Sequence, residues 1–240
     1  MHILVVDIGG TNAKVWKTGE DDKLKIPTGK EFSPQKLVEE VRLNVSDWDY
    51  DRVSIGYPGH VTNGHPSAEA VNLGPGWAGF DYPAGFGCPV RIMNDACMQA
   101  LGSYEGGRML YLGLGTGLGS TFIFEGTIIP LSLGHMKLEK DESLTDHLSR
   151  KALESRGQKA FRESVNKAAV MLKDAFQADY VVVGGGNAKK LKELPEGVRR
   201  GGNHNAYFGG LRMWEDASKL VSVPTLNIVS ETPPEAANSA

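Results

Sequence analysis

The chain is short of the features that mark secreted, membrane-bound or nucleic-acid-binding proteins. Two cysteines, Cys88 and Cys97, are too few for a disulfide framework, and no paired Cys/His spacing surrounds them, so no structural zinc is expected. They suit a reducing compartment, and a cytoplasmic location is expected. No run approaches the roughly 18 apolar residues of a membrane span, since the opening Ile3-Leu4-Val5-Val6 meets Asp7 at once. Neither sign of charge dominates. The 26 Lys and Arg stand against 29 Asp and Glu, a formal net charge of -3, and no block of one sign offers a footprint for nucleic acid or an anionic bilayer. Two nucleotide signatures are also missing. There is no Gly-x-x-x-x-Gly-Lys-Ser/Thr run, and the turn Gly113 to Gly119 places Leu118 or Ser120 where Gly-x-Gly-x-x-Gly needs its last glycine. A Walker-type nucleotidase and a dinucleotide oxidoreductase both lose support.

Glycine is abundant: 30 of 240 residues, against a usual share of about 7%. There is no collagen period, so the excess belongs to tight turns and close backbone approaches. Ile3 to Val6 reads as a buried strand ending at Asp7, followed by the turn Gly9-Gly10-Thr11 and a return strand through Trp16. Ser33-Pro34 supplies a cap and an N1 proline for a helix over about 34–46. Val53 to Gly56 is a strand, and 57–87 is mostly loop. Pro89 to Met93 is a strand that presents Asn94 and Asp95 ahead of a helix over 96–104. Met109 to Leu114 and Ser120 to Phe124 are strands around a second glycine turn. Tyr180 to Val183 is a buried parallel strand feeding Gly184-Gly185-Gly186-Asn187, with a helix starting at 188–191 and a last helix over 206–220.

Residues 6–15 align without a gap on 112–121, each a strand, Gly/Thr turn and strand. The duplication predicts two related α/β lobes, 1–106 and 107–230, with a cleft between them. Residues 231–240 read as a disordered tail.

The two turns carry the chemistry. Successive amides at Gly9, Gly10, Thr11 and Asn12, with Lys14 beyond, suit phosphate oxygens, and so do Gly115, Thr116 and Gly117. Asp7 suits Mg²⁺, held through water. Its counterpart in the second turn is Gly113, so one lobe supplies the metal-side carboxylate. Two phosphate clamps and one carboxylate point to phosphoryl transfer. Asp95 is the candidate general base, placed to take a hydroxyl proton, with Asn94 orienting a second hydroxyl; a helix cap at Asp95 is the competing reading. Lys189, Lys190, Arg199 and Arg200 are candidates for a basic track under an extended polyanion.

As a set, these segments resemble the ROK family of sugar kinases and repressors in the actin/hexokinase-like superfamily, nearest to its polyphosphate glucokinases. The likeness rests on residues 6–14, Gly56-Tyr57-Pro58-Gly59, Asn72-Leu73 before Trp77, Asn94-Asp95, residues 115–119, Gly134-His135 and residues 184–187. It implies a two-lobed, ribonuclease H-like fold with a duplicated mixed-sheet core. It also implies a sugar held by Asn72, Asn94, Asp95, His135 and the position of Ser132, with Asp95 as base for the 6-hydroxyl. Nucleotide contacts fall partly on Gly185, Gly186 and Asn187, the donor is ATP or inorganic polyphosphate with Mg²⁺, and the assembly is a homodimer. Ser132 stands where the family usually has a glutamate, which would cost about 1.5 to 3 kcal/mol if that residue makes a charge-assisted bond. The cysteine-rich zinc loop and a leading helix-turn-helix domain are missing, which argues against a repressor. The sequence therefore reads as a glucokinase-like sugar kinase. The alternatives are a kinase for another hexose or amino sugar and a non-catalytic sugar- or phosphosugar-binding protein.

Overall fold

A computed structural model of the protein describes residues 1–19, 23–202 and 204–215. The expected tail over 231–240, and the end of the expected last helix beyond 215, lie outside these residues. In chain order the first half runs β1 (Ile3–Ile8), β2 (Asn12–Lys17), β3 (Leu24–Pro27), α1 (Pro34–Asn44), β4 (Arg52–Tyr57), β5 (Val61–Thr62), β6 (His65–Pro66), α2 (Tyr82–Phe86), β7 (Val90–Asn94) and α3 (Asp95–Ser103). The second half runs β8 (Arg108–Leu114), β9 (Leu118–Phe124), β10 (Thr127–Leu131), β11 (Lys137–Glu139), β12 (Glu142–Ser143), α4 (Leu144–Leu148), α5 (Arg150–Ala175), β13 (Tyr180–Gly184), β14 (Val198–Arg200) and α6 (Asn205–Arg212).

Two five-stranded sheets repeat one topology. The first has the order β3-β2-β1-β4-β7 and the second β10-β9-β8-β13-β14. In each, three antiparallel strands are followed by two parallel ones. This is the duplicated, ribonuclease H-like core of the actin/hexokinase fold.

Side-chain alternation explains the layers, because successive residues of a strand face opposite sides. In β1, Leu4, Val6 and Ile8 join Leu37 and Val41 of α1, whereas Ile3 and Val5 join Met98 and Leu101 of α3 and Ala206 of α6. In β8, Leu110, Leu112 and Leu114 join Val165 and Leu172 of α5, whereas Met109 and Tyr111 join Ala96 and Ala100 of α3. Thus α3 lies between the sheets and touches both. We retain 1–106 and 107–230 as the proposed lobes, with one exchange: α6 follows the second sheet in sequence but packs on β1, β4 and α3 of the first lobe.

The ungapped alignment of the two hairpins needs correction. Ile8 pairs with Ala13 across Gly9 to Asn12, whereas Leu114 pairs with Leu118 across only Gly115 to Gly117. The outgoing strands match, and the second turn is one residue shorter. The helix expected from Ala188 is a single 3-10 turn over Ala188–Lys190, because buried Leu191 anchors the chain in the α5-side core and Pro195 and Gly197 turn it into β14. Ahead of β13 the chain is helical in two pieces, α4 and α5, and α5 itself is interrupted by Gly157 at φ 79°.

Candidate active site

The residues that carry chemistry converge where α3 begins. Asn94 caps that helix: its Oδ1 accepts from the Ala96 amide at 3.0 Å and the Cys97 amide at 3.3 Å, and its Nδ2 donates to the Gly59 carbonyl at 3.1 Å. Two acceptor positions and one donor are therefore spent on structure, which leaves one N–H for a ligand. The cap belongs to Asn94, and Asp95 is the first helical residue, with one oxygen accepting from the Ala96 amide at 2.8 Å.

Asp95 is pressed against the second lobe. A Cβ at Gly119 would lie 2.9 Å from the Ala96 Cβ, so only glycine lets β9 come this close to the start of α3. Two cavities meet there. The smaller, about 730 Å³, is bordered by Gly59 to Val61 on the first lobe and by Ser132, Gly134, His135 and Thr145 on the second. The larger, about 930 Å³, is bordered by Asp7, Gly9 to Asn12, Lys14, Gly115 to Gly117, Gly185 and Gly186. Asn94, Asp95, Ala96 and Gly117 to Gly119 belong to both walls.

Ser132 and His135 are exposed in the smaller cavity. Buried Ser120 holds their segment, donating to the Leu131 carbonyl at 3.0 Å and accepting from the Leu133 amide at 3.1 Å. Two expected site residues lie elsewhere. Asn72 borders the larger cavity rather than the smaller, because its loop folds onto the first glycine turn and brings its Cβ to 3.3 Å from where one would stand on Gly10. Asn187 is buried as a brace, its amide donating to the Leu114 carbonyl at 3.1 Å and its Nδ2 to the Gly115 carbonyl at 3.3 Å. It holds the second turn in shape.

Asp7 is almost fully buried, with one carboxylate oxygen 3.0 Å from the Lys14 Nζ. Burial pushes the Asp95 carboxyl up to about 7, helped by the Asp7 charge and opposed by backbone N–H groups and Lys14. A carboxylate with that affinity for protons is matched to general-base work near neutrality. Lys14→Met removes a cation that holds this value down, so the acid limb of kcat/KM should move to higher pH. A pH–rate profile checks this, and an unmoved or lowered limb contradicts it.

Sequence reasoning missed Lys23, Lys25, Gln99, Tyr111 and Arg150, all on the larger cavity. Of the four basic-track candidates, Lys189 and Arg200 border it, whereas Arg199 pairs with Glu105 and lies over the Tyr180 ring. With Lys14, six cations face two carboxylates, a lining suited to a polyanion.

Among the described residues, no group of three or more His, Cys, Asp or Glu is placed to hold a metal, and His147 is buried with its Nε2 3.0 Å from Glu142. The Asp7 carboxylate on the wall of the larger cavity fits Mg²⁺, which commonly takes one or two carboxylates and completes its shell with substrate phosphates and water. No described helix is long and apolar enough to cross a membrane.

No family model matches the chain. The polyphosphate glucokinase of Mycobacterium tuberculosis is 26% identical over 212 residues, covering 79% of each chain. That of Mycobacterium leprae is 26% identical over 210 residues, 77% of this chain and 63% of its own. Among solved structures, the inorganic polyphosphate/ATP-glucomannokinase from Arthrobacter sp. strain KM matches with a TM-score of 0.73 at 24% identity, over 91% of this chain and 98% of that one. The ROK family glucokinase from Streptomyces griseus, solved with glucose and AMPPNP, matches with a TM-score of 0.68 at 18% identity, over 89% and 99%. The structural matches establish the fold. The sequence relatives, at 26% identity, make the chain similar to polyphosphate glucokinases, and its fold is the actin/hexokinase fold that it shares with ROK-family sugar kinases.

Proposed function

We propose that this protein is a hexose kinase of glucokinase type, transferring the terminal phosphoryl group of ATP or polyphosphate to a sugar 6-hydroxyl. The observation that carries the reading is the position of Asp95 on the wall common to both cavities. A sugar in the smaller cavity and a phosphate chain in the larger would meet at this carboxylate.

The hexose is held in the smaller cavity by the hydroxyl of Ser132, the imidazole of His135 and the remaining N–H of Asn94. Asp95 takes the 6-hydroxyl proton as that oxygen attacks the terminal phosphorus. The Gly9 and Gly115 amides close the two turns on the Asn12 and Gly117 carbonyls, so the amides of Gly10, Thr11, Thr116, Gly117 and Gly186 receive the charge on the phosphate oxygens, and the side chains of Lys14 and Arg150 add positive charge. Asp7 would hold Mg²⁺, which when bound neutralises charge on the donor phosphates. Contact of both lobes with the substrates excludes water from the reacting centre.

A panel crossing ATP and polyphosphate with glucose, mannose and an N-acetylated hexosamine tests the reading. A labelled sugar phosphate from at least one pair is expected, and sugar binding without any transfer would favour the non-catalytic alternative prompted by Ser132. Asp95 is the sole carboxylate on the smaller cavity among the described residues. Ser132→Glu adds a second charged acceptor for sugar hydroxyls, so hexose KM should fall about tenfold or more, as steady-state kinetics would reveal.

A further inference from the structure

Beneath the donor cavity lies a polar pair that the reaction as described leaves unused. Gly113 and Gly184 stand opposite one another on β8 and β13. Neither has a side chain, and the notch between them is filled by Tyr111. A Cβ on Gly113 would lie 3.2 Å from the tyrosine Cε1, and one on Gly184 would collide with its hydroxyl. Tyr111 is fully buried, yet it forms part of the cavity floor. Its hydroxyl donates to Gln99 Oε1 at 2.7 Å, and the Gly185 amide faces the same phenolic oxygen as a donor. A relay results, from the Gly185 N–H to the Tyr111 hydroxyl and on to the Gln99 carbonyl.

The relay fixes which end of the Gln99 amide is free. With Oε1 occupied by the phenol, the two Nε2 protons remain, and they have no partner among the described residues. Gln99 borders the donor cavity one helical turn beyond Asp95, beside the glycine turn that contains Gly185. Hydrogen-bond donors here suit phosphate oxygens, which only accept.

We propose that Gln99 is a donor-binding residue whose Nε2 donates to a phosphate oxygen of the phosphoryl donor, and that Tyr111 is the positioning residue that sets its amide. The proposal rests on the phosphotransfer reading for the identity of the ligand, so its test includes binding as well as turnover.

Three variants separate grip from packing. Gln99→Ala should raise donor KM, and the calorimetric Kd for ATP or tripolyphosphate, by about 10- to 100-fold, with hexose KM within twofold of the parent. Gln99→Glu keeps an acceptor for Tyr111 but turns a negative oxygen toward the phosphates, so it should weaken the donor more than alanine does at near-parental thermal stability. Tyr111→Phe keeps the ring in its notch and removes only the hydroxyl, and should raise donor KM by about 3- to 10-fold with hexose KM unchanged. Calorimetry with tripolyphosphate and with ATP reads donor grip even where no phosphate is transferred, so absent turnover with intact binding counts against the kinase reading alone. The proposal is overturned if both Gln99 variants bind these anions within twofold of the parent, if hexose KM rises as much as donor KM, or if the parent binds neither anion.

Discussion

Exchange of Asp95 for asparagine is expected to lower kcat by about 10² to 10⁴-fold while making the substrate-free protein more stable at alkaline pH. The first effect follows from loss of the proton acceptor at the junction of the two cavities, and the range is that of general-base catalysis. Asparagine keeps the shape and cannot take the proton. The second effect follows from the raised proton affinity, about 7 in the folded chain against an ordinary 3.8. A carboxyl with a raised folded value stabilises the fold fully when pH is below its unfolded value, and that contribution is lost as pH rises through about 7. At pH 8 the parent therefore carries an unfavourable buried charge that the variant lacks, worth about 4 kcal/mol at most. The variant should melt higher than the parent at pH 8, with the difference shrinking between pH 7 and 4. Thermal melts across this range, run beside turnover at pH 8, test both halves. Parental activity, or a stability difference that does not change with pH, would contradict the assignment of Asp95 as the base.

Gly102→Ala should strongly destabilise the protein, because the added methyl meets backbone between the sheets. At this position α3 crosses α6 with backbone against backbone: a Cβ on Gly102 would overlap the Asn205 carbonyl and lie 2.6 Å from the Gly209 nitrogen. The same holds in reverse, because a Cβ on Gly209 would collide with the Met98 carbonyl. Backbone cannot give way as a flexible side chain can, so the helices must separate. Overpacking of this kind costs about 1 to 3 kcal/mol, occasionally more, and here the upper end is expected. Donor affinity should fall as well, since Asn205 and Ala206 border the donor cavity and move with α6. Gly79→Ala is the control. It has nothing within 4 Å of its added carbon, and its stability should stay within about 0.5 kcal/mol of the parent. Denaturant melts of the two variants decide, and equal stabilities would refute the tight crossing.

What could be read from the sequence was what is local in the chain. A buried strand ending in Asp7, a glycine turn and a returning strand announce themselves within a dozen residues, and so does Asn94-Asp95 at the mouth of a helix. The repeat was visible because both hairpins use the same chemistry. The one-residue difference between their turns was not, since the two Gly/Thr turns align by residue type without a gap and only the ladder fixes the register. Residues whose role depends on a distant partner were the ones misplaced. Asn72 sits against Gly10, 62 positions away, and Asn187 spends its side chain on Gly115. Gln99 and Tyr111 carry no motif at all, and their meaning comes from a notch made by two glycines, one of them on a strand more than 70 residues later. The return of α6 to the first sheet was hidden for the same reason. Its pattern announces a helix and not the partner it packs against.

The most direct measurement is a crystal structure of the protein with a hexose and a non-transferring donor, an ATP analogue or tripolyphosphate according to which donor proves active. The account predicts the sugar in the smaller cavity and the phosphates in the larger. The acceptor hydroxyl should lie about 2.6 to 3.2 Å from an Asp95 carboxylate oxygen and about 3 to 3.5 Å from the terminal phosphorus. A sugar bound outside the smaller cavity, or one whose hydroxyls all point away from Asp95 while the donor is in place, would contradict it.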